Sequence, residues 1–405
     1  MKKNHIMAIL MLLCASPVWA QDWPQWRGPN RDNHVVGFNA PKEWPKELTK
    51  KWKVTVGIGE ASPALVGDKV YTFGRIGGDE VTICLDAATG KEIWKDKYAA
   101  AKITGPAGGF TGPRSTIAVG DGKVCTLGVH GVVSCFDAAT GKIVWRKENT
   151  GKVPGFQTST SPMVVDGMCV VYVGVLTAYD LASGDVKWKW SGGGPPYGSP
   201  ILMTVEGTKQ VVTPAAGGSL AGINLADGKL LWQVKVGGGG GDYQSSQSTP
   251  ISSGNKLFYS AAAKGGKGTF YGFKIEKNGT EFKASELWNK SGSADKYHSP
   301  LLKDDMIYGV SSSGRSFFCI DAKTGEKVWS DDKRRGECGC ILDAGPVLIA
   351  LTSDKQLIAF EPGKTYKEVA KYQVSDSETW SVPIIAGNRV FVKDKGGSLT
   401  LWTIE

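Results

Sequence analysis

A tryptophan recurs along this chain at intervals of 42, 51, 43, 44, 56 and 41 residues, from Trp52 through Trp94, Trp145, Trp188, Trp232 and Trp288 to Trp329. Each copy opens with Ser-Pro or a variant, as at Ser62-Pro63, Gly112-Pro113, Ser161-Pro162, Ser199-Pro200, Thr249-Pro250, Ser299-Pro300 and Val382-Pro383. An apolar run, a Gly-Asp-type turn and a second β-branched run follow. A third run ends in Asp-Ala-x-Thr-Gly-Lys, as at Asp86–Lys91 and Asp137–Lys142, and the tryptophan run closes the copy. Four short strands per unit at this period specify the blades of a β-propeller. The fifth copy lacks the Asp-to-Gly turn, and the seventh carries Tyr372 in the tryptophan slot.

The ends complement each other. Lys51-Trp52-Lys53-Val54 reads as a tryptophan strand with no three strands before it. The last copy offers three strands, Ile384–Ala386, Val390–Lys393 and Leu399–Ile404, with no fourth. Joining them completes an eighth blade and removes two exposed sheet edges. The expected fold is therefore all-β, an eight-bladed propeller of four-stranded antiparallel blades spanning residues 48–405. Residues 21–47 precede the ring and hold Trp23, Trp26 and Trp44 among prolines and glycines. Their tryptophans argue against free disorder, leaving an arm packed on the propeller, or a plug or partner-binding segment.

Residues 1–20 read as a signal peptide: Lys2 and Lys3, a short apolar run Ile6–Leu13, and cleavage after Val18-Trp19-Ala20. Leu13 stands where a lipobox needs a small residue, so lipidation at Cys14 is not expected. The expected location is periplasm or cell envelope, with no transmembrane segment. Removing two lysines lowers the net charge from +9 to +7, spread over scattered turn lysines, which does not suit nucleic acid. Seven of the eight cysteines remain after Cys14 is removed. Cys84, Cys135 and Cys319 fall at one repeat position, which holds Ala178 and Gly222 in other copies, and read as small core residues. Cys338-Gly339-Cys340 is open to three readings: a strained disulfide, a metal ligand pair or inert thiols.

The Asp-Ala-x-Thr-Gly-Lys-x-x-x-Trp repeat, with Trp23-Pro24-Gln25-Trp26-Arg27-Gly28-Pro29-Asn30-Arg31 at the mature start, resembles the pyrroloquinoline-quinone (PQQ)-like propeller repeat of exported bacterial proteins. That family contains quinoprotein alcohol dehydrogenases and the non-catalytic lipoprotein of the outer-membrane β-barrel assembly machinery. The dehydrogenases carry adjacent cysteines over the quinone and hold calcium through Glu, Asn and Asp. This chain has no Cys-Cys pair, no haem Cys-x-x-Cys-His and no residue-by-residue match to the calcium ligands.

No metal motif, nucleophile elbow or phosphate loop is present in the sequence. The ligand-binding candidates come from loops that share one propeller face: Arg114, His130, Gln157, Tyr197, Gln244, His298, Arg315 and Lys395, with Glu60 and Trp380 beside them. Arg114 and Arg315, from opposite blades, are expected to grip an anion between them. The main expectation is a non-catalytic exported propeller that binds an envelope protein or an anionic small ligand without a cofactor. The alternatives are a PQQ- and calcium-dependent or sugar-directed oxidoreductase, and a scaffold of an envelope assembly complex. Oligomeric state is left open.

Overall fold

In the computed structural model, residues 22–148, 150–194, 197–237, 247–262, 268–294, 299–311 and 315–405 are described. They form eight four-stranded antiparallel sheets. Seven are consecutive in sequence, and the eighth joins Thr49–Thr55 to Ser398–Thr403, Arg389–Lys393 and Ile384–Ala386. Closure pairs Thr49 with Thr403 at one end and Thr55 with Ser398 at the other, with a bulge between Lys50 and Trp52. The first strand of each blade is short and mostly buried, and first strands of several neighbouring blades touch around the axis. The fourth strands alternate between exposed and buried residues and form the rim, as Glu92–Ala99 does.

The repeat motif is a docking device between blades. Asp137 Oδ1 accepts the backbone N–H of Thr140 at 3.0 Å and its hydroxyl at 2.8 Å, which folds the turn. Gly141 then takes φ +71°, and the ring of Trp94 from the preceding blade lies against it. The Trp94 indole donates to Ala138 O at 3.0 Å in the same turn. Trp52, Trp145, Trp188 and Trp288 donate likewise to Ala87, Leu181, Leu225 and Ala322. Where the fifth blade lacks the turn, Trp232 donates instead to Gln210 Oε1 at 2.6 Å within its own blade. Tyr372, in the tryptophan slot, donates to Pro45 O of the arm at 2.8 Å.

The shared cysteine position also follows from this device. Cys84, Cys135 and Cys319 pair across strands with Trp94, Trp145 and Trp329, as Ala178 and Gly222 do with Trp188 and Trp232. A small side chain is needed beneath each indole. All seven described cysteines are free thiols, and Cys125 and Cys135 face each other directly.

The Ser-Pro signal proves to be a hydroxyl belt. The Val382 amide donates to Ser62 Oγ, Ser62 to Thr116, Thr116 to Ser161, Ser161 to Ser199, Ser199 to Thr249, and Thr249 to Ser299. In the second blade the belt residue is Thr116, not Gly112-Pro113 as the sequence pattern suggested; the strand Ala118–Gly120 follows it directly. In six of the eight blades this position carries a hydroxyl that accepts an amide of the blade before it, and in the second blade it does so without a following proline. The belt stops at the seventh and eighth blades, where Gly339 and Val382 supply no hydroxyl.

The arm fills the channel. Trp23 bridges Leu65 of the first blade, and Pro24 O accepts from Val119 of the second. Trp26 reaches Thr249 of the fifth, Arg27 reaches Pro300 O of the sixth, and Arg31 reaches Ser161 O and Pro162 O of the third. Asn33 and Val35 then pair with the strand Gly339–Asp343 of the seventh. Of the two readings left open by the sequence, the plug describes this path.

Candidate functional site

On the face where the Ser-Pro segments begin, the channel opens into a funnel with a cavity of about 320 Å³. Trp26 of the plug forms part of its lining, and Phe110, Phe156, Tyr197 and Trp380 supply further aromatic walls. Phe110 meets Trp380 edge-on at 5.9 Å, and Phe156 meets Tyr197 edge-on at 6.3 Å. The belt residues Ser161, Ser199, Thr249 and Ser299 ring the depth. A concave apolar surface with a few fixed polar groups is the general form of a binding site.

The charges in and around this funnel are mixed and mostly matched. Glu60 lies in the wall, and burial raises its pKa against the pull of Lys393 and Arg114. Lys393, fully buried behind it, donates to Gly59 O, and burial lowers its pKa to about 8. Glu337 in the wall pairs with Arg315 at 3.0 Å. Lys395 sits over the Phe110 and Trp380 rings, 5.3 and 5.7 Å from their centroids, and 3.5 Å from Glu378.

Of the sequence candidates, Arg114 and Tyr197 line the funnel directly. Arg114 donates to Phe156 O, and the Tyr197 hydroxyl accepts the Phe156 amide at 3.2 Å. Lys395 stacks on two lining rings, and Arg315 pairs with the lining residue Glu337. Gln157 lies in the same loop as Phe156, at φ +66°, with its Oε1 buried and unpartnered. His130 is elsewhere: its Nε2 lies 3.0 Å from Ala101 O, on the connector between the first two blades. Gln244 and His298 fall outside the described residues. Trp26, Phe110 and Phe156 were not among the candidates. The tryptophan-rich arm was the one signal pointing to Trp26, and nothing periodic marks the two phenylalanines.

Calcium takes roughly six to eight oxygen ligands, commonly several carboxylates. The funnel lining offers Glu60, beside Lys393 and Arg114, and Glu337, committed to Arg315. No three His, Cys, Asp or Glu side chains converge on a metal-sized point among the described residues. Among the described residues, the donor set does not fit calcium-bound PQQ.

Eight blades docked by tryptophan onto Asp-Ala-x-Thr-Gly turns, around a hydroxyl-belted channel, define a PQQ-like repeat propeller. The chain belongs to that family: the family model described as outer membrane protein assembly factor BamB matches residues 77–331, more than half of it. It is 25% identical over 367 residues to outer membrane protein assembly factor BamB of Burkholderia pseudomallei, covering 87% of each chain. It is 26% identical over 300 residues to quinohemoprotein alcohol dehydrogenase ADH IIB of Pseudomonas putida, covering 64% of this chain but 42% of that one. Among solved structures, BamB of Moraxella catarrhalis superposes with TM-score 0.66 at 17% identity, over 88% of this chain and 99% of that one. Quinohemoprotein alcohol dehydrogenase of Comamonas testosteroni superposes with TM-score 0.69 at 15% identity, over 95% and 80%. At these identities the superpositions speak to the fold.

Proposed function

We propose that this protein is a non-catalytic scaffold of outer-membrane protein assembly, and that its funnel docks a segment of a partner polypeptide by an aromatic anchor. The observation that carries this reading is the plug. The arm occupies the channel with its own side chains and brings Trp26 to the lining, so the funnel is an aromatic basin above filled space. Rigid aromatic surface with a polar rim is the composition of an interaction hot spot. The charge balance favours a polypeptide over a small anion. Arg315 pairs with Glu337 and Lys395 lies beside Glu378, so two of the cationic candidates already face carboxylates. The extent of similarity points the same way, since the match covers 87% of the Burkholderia assembly factor but 42% of the Pseudomonas dehydrogenase.

The test is a photo-cross-linking residue introduced at Phe110, with a control on the rim at Ile143. Irradiation of native envelopes should join Phe110 variants to an outer-membrane assembly polypeptide and leave the Ile143 variant unjoined. Equal products from both positions, or none from Phe110, would contradict the proposal.

A further inference from the structure

Cys125 and Cys135 stand directly opposite each other on the two middle strands of the second blade, Lys123–Leu127 and Val133–Asp137. The hydrogen bonds of the blade fix the kind of pair they make. Gly128 N donates to Val132 O at 2.8 Å at one end of the ladder, and Ala138 N donates to Gly122 O at 2.9 Å at the other. Bonded and non-bonded pairs alternate along an antiparallel ladder. Counting inward from either end, Thr126–Ser134 and Val124–Phe136 are bonded pairs, and Cys125–Cys135 is the non-bonded pair between them. Such a pair brings its Cα atoms to about 4.5 Å, inside the range of roughly 4.4–6.8 Å that a disulfide spans.

Packing accounts for one of these cysteines and not for the other. Cys135 is the small residue beneath Trp145. In the first, third, fourth, fifth and sixth blades the residue facing that small position is aromatic or β-branched: Tyr71, Val170, Val212, Phe258 and Tyr308. The second blade puts Cys125 there, a small residue against a small one. Hydrogen bonds with Cys135 and with Cys169 of the third blade, together with burial, hold the Cys125 thiol well above its usual value. The bond from Cys125 lowers the pKa of Cys135 against its burial, so Cys135 is the readier thiolate.

We propose that Cys125 and Cys135, thiols in the structure, are a modification site that is oxidised to a disulfide and braces the hairpin supporting the funnel wall. The hairpin end holds the loop that carries Phe156: Thr158 N donates to Val129 O at 3.2 Å, and Thr158 Oγ1 to Gly128 O at 2.7 Å. The oxidant is a disulfide of the thiol-exchange class, as met in an oxidising compartment. Cys135 as thiolate attacks it, forming a mixed disulfide and releasing one oxidant thiolate. Cys125, losing its own proton, displaces the second. One S–S bond forms and one breaks, and two electrons and two protons pass to the oxidant, which leaves as two thiols. Both sulfurs are wholly buried and pack with Tyr179 and Leu181 of the third blade. The exchange therefore belongs to folding, before the third blade docks.

The test is alkylation of the unfolded protein, isolated from envelopes without reductant, followed by peptide mapping. Cys125 and Cys135 should be unlabelled and joined, with Cys169 labelled, and after reduction all three should label. Labelling of Cys125 and Cys135 without reduction, or a link from Cys125 to Cys169, would overturn the proposal. Cys125→Val, which places there the residue of the third and fourth blades, is the control for the bracing. Refolding under reductant should lower the Tm of the wild type by about 3 °C and leave that of Cys125→Val unchanged. An equal response of the two proteins would also overturn the proposal.

Discussion

Gly141 shows how one residue serves two elements at once. Its φ of +71° completes the turn begun by Asp137, and its missing side chain admits the Trp94 ring of the neighbouring blade. A Cβ there would stand 2.5 Å from Trp94 Cδ2. Gly141→Ala therefore combines backbone strain with displacement of a docking indole. We expect a loss of roughly 2–4 kcal/mol in urea unfolding, from φ strain plus lost packing. Glycine and tryptophan are legible together in the sequence because the pair repeats. His34 is legible only in the structure. Its Nδ1 lies 3.0 Å from Asp343 and its Nε2 lies 3.0 Å from Leu302 O, where the plug leaves the channel. The bond to Asp343 raises the His34 pKa, with Asp32 adding to it and burial opposing. Burial of Asp343 acts to raise its own pKa, but His34 and Lys303 outweigh it and the value falls. A raised histidine pKa stabilises the fold fully below the unfolded value of about 6.5, and this contribution fades as pH rises through the folded value. The Asp343 contribution holds above about pH 4 and is lost as pH falls through its lowered value. Between those limits the wild type should melt higher than His34→Gln, and the gap should narrow from pH 6 to pH 8.5. A gap independent of pH would mean that His34 acts through packing alone.

The belt is the feature of the elements that sequence reading came nearest to and misassigned. Ser-Pro repeats visibly, yet the working part is the hydroxyl, which accepts the amide of the equivalent residue in the blade before it. Thr116 carries that role without a following proline, so the Ser-Pro pattern falls on Gly112-Pro113 instead. Such a partner lies 54 residues away for Ser62 and Thr116, so no local pattern exposes it. Ser161→Ala removes the acceptor of the buried Thr116 amide, a 3.0 Å bond. Leaving a buried donor unmade costs about 1–3 kcal/mol. Unfolding in urea should register a loss of that size, whereas a change below about 0.5 kcal/mol, usual for surface substitutions, would mean that the belt is dispensable.

For the whole molecule, blade number and ring closure follow from tryptophan spacing and from the incomplete ends, because both are periodic. The path of the arm is not periodic, and its partners are backbone carbonyls such as Pro300 O, 273 residues from Arg27. For the same reason Arg114 and Tyr197 were found as funnel residues from loop position, while Trp26, which lines the same cavity, was not. The arm is a built part of the propeller that crosses the channel and helps to line the funnel. Hydrogen–deuterium exchange of the mature protein measures this most directly. The Trp23 amide bonds to Leu65 O at 2.7 Å, Asn33 to Arg27 O at 2.9 Å, and Val35 to Asp343 O at 2.8 Å. If the plug is integral, these amides exchange as slowly as those of the first strands, through global opening. Exchange at the rate of an unstructured chain, with the blades still protected, would contradict the account.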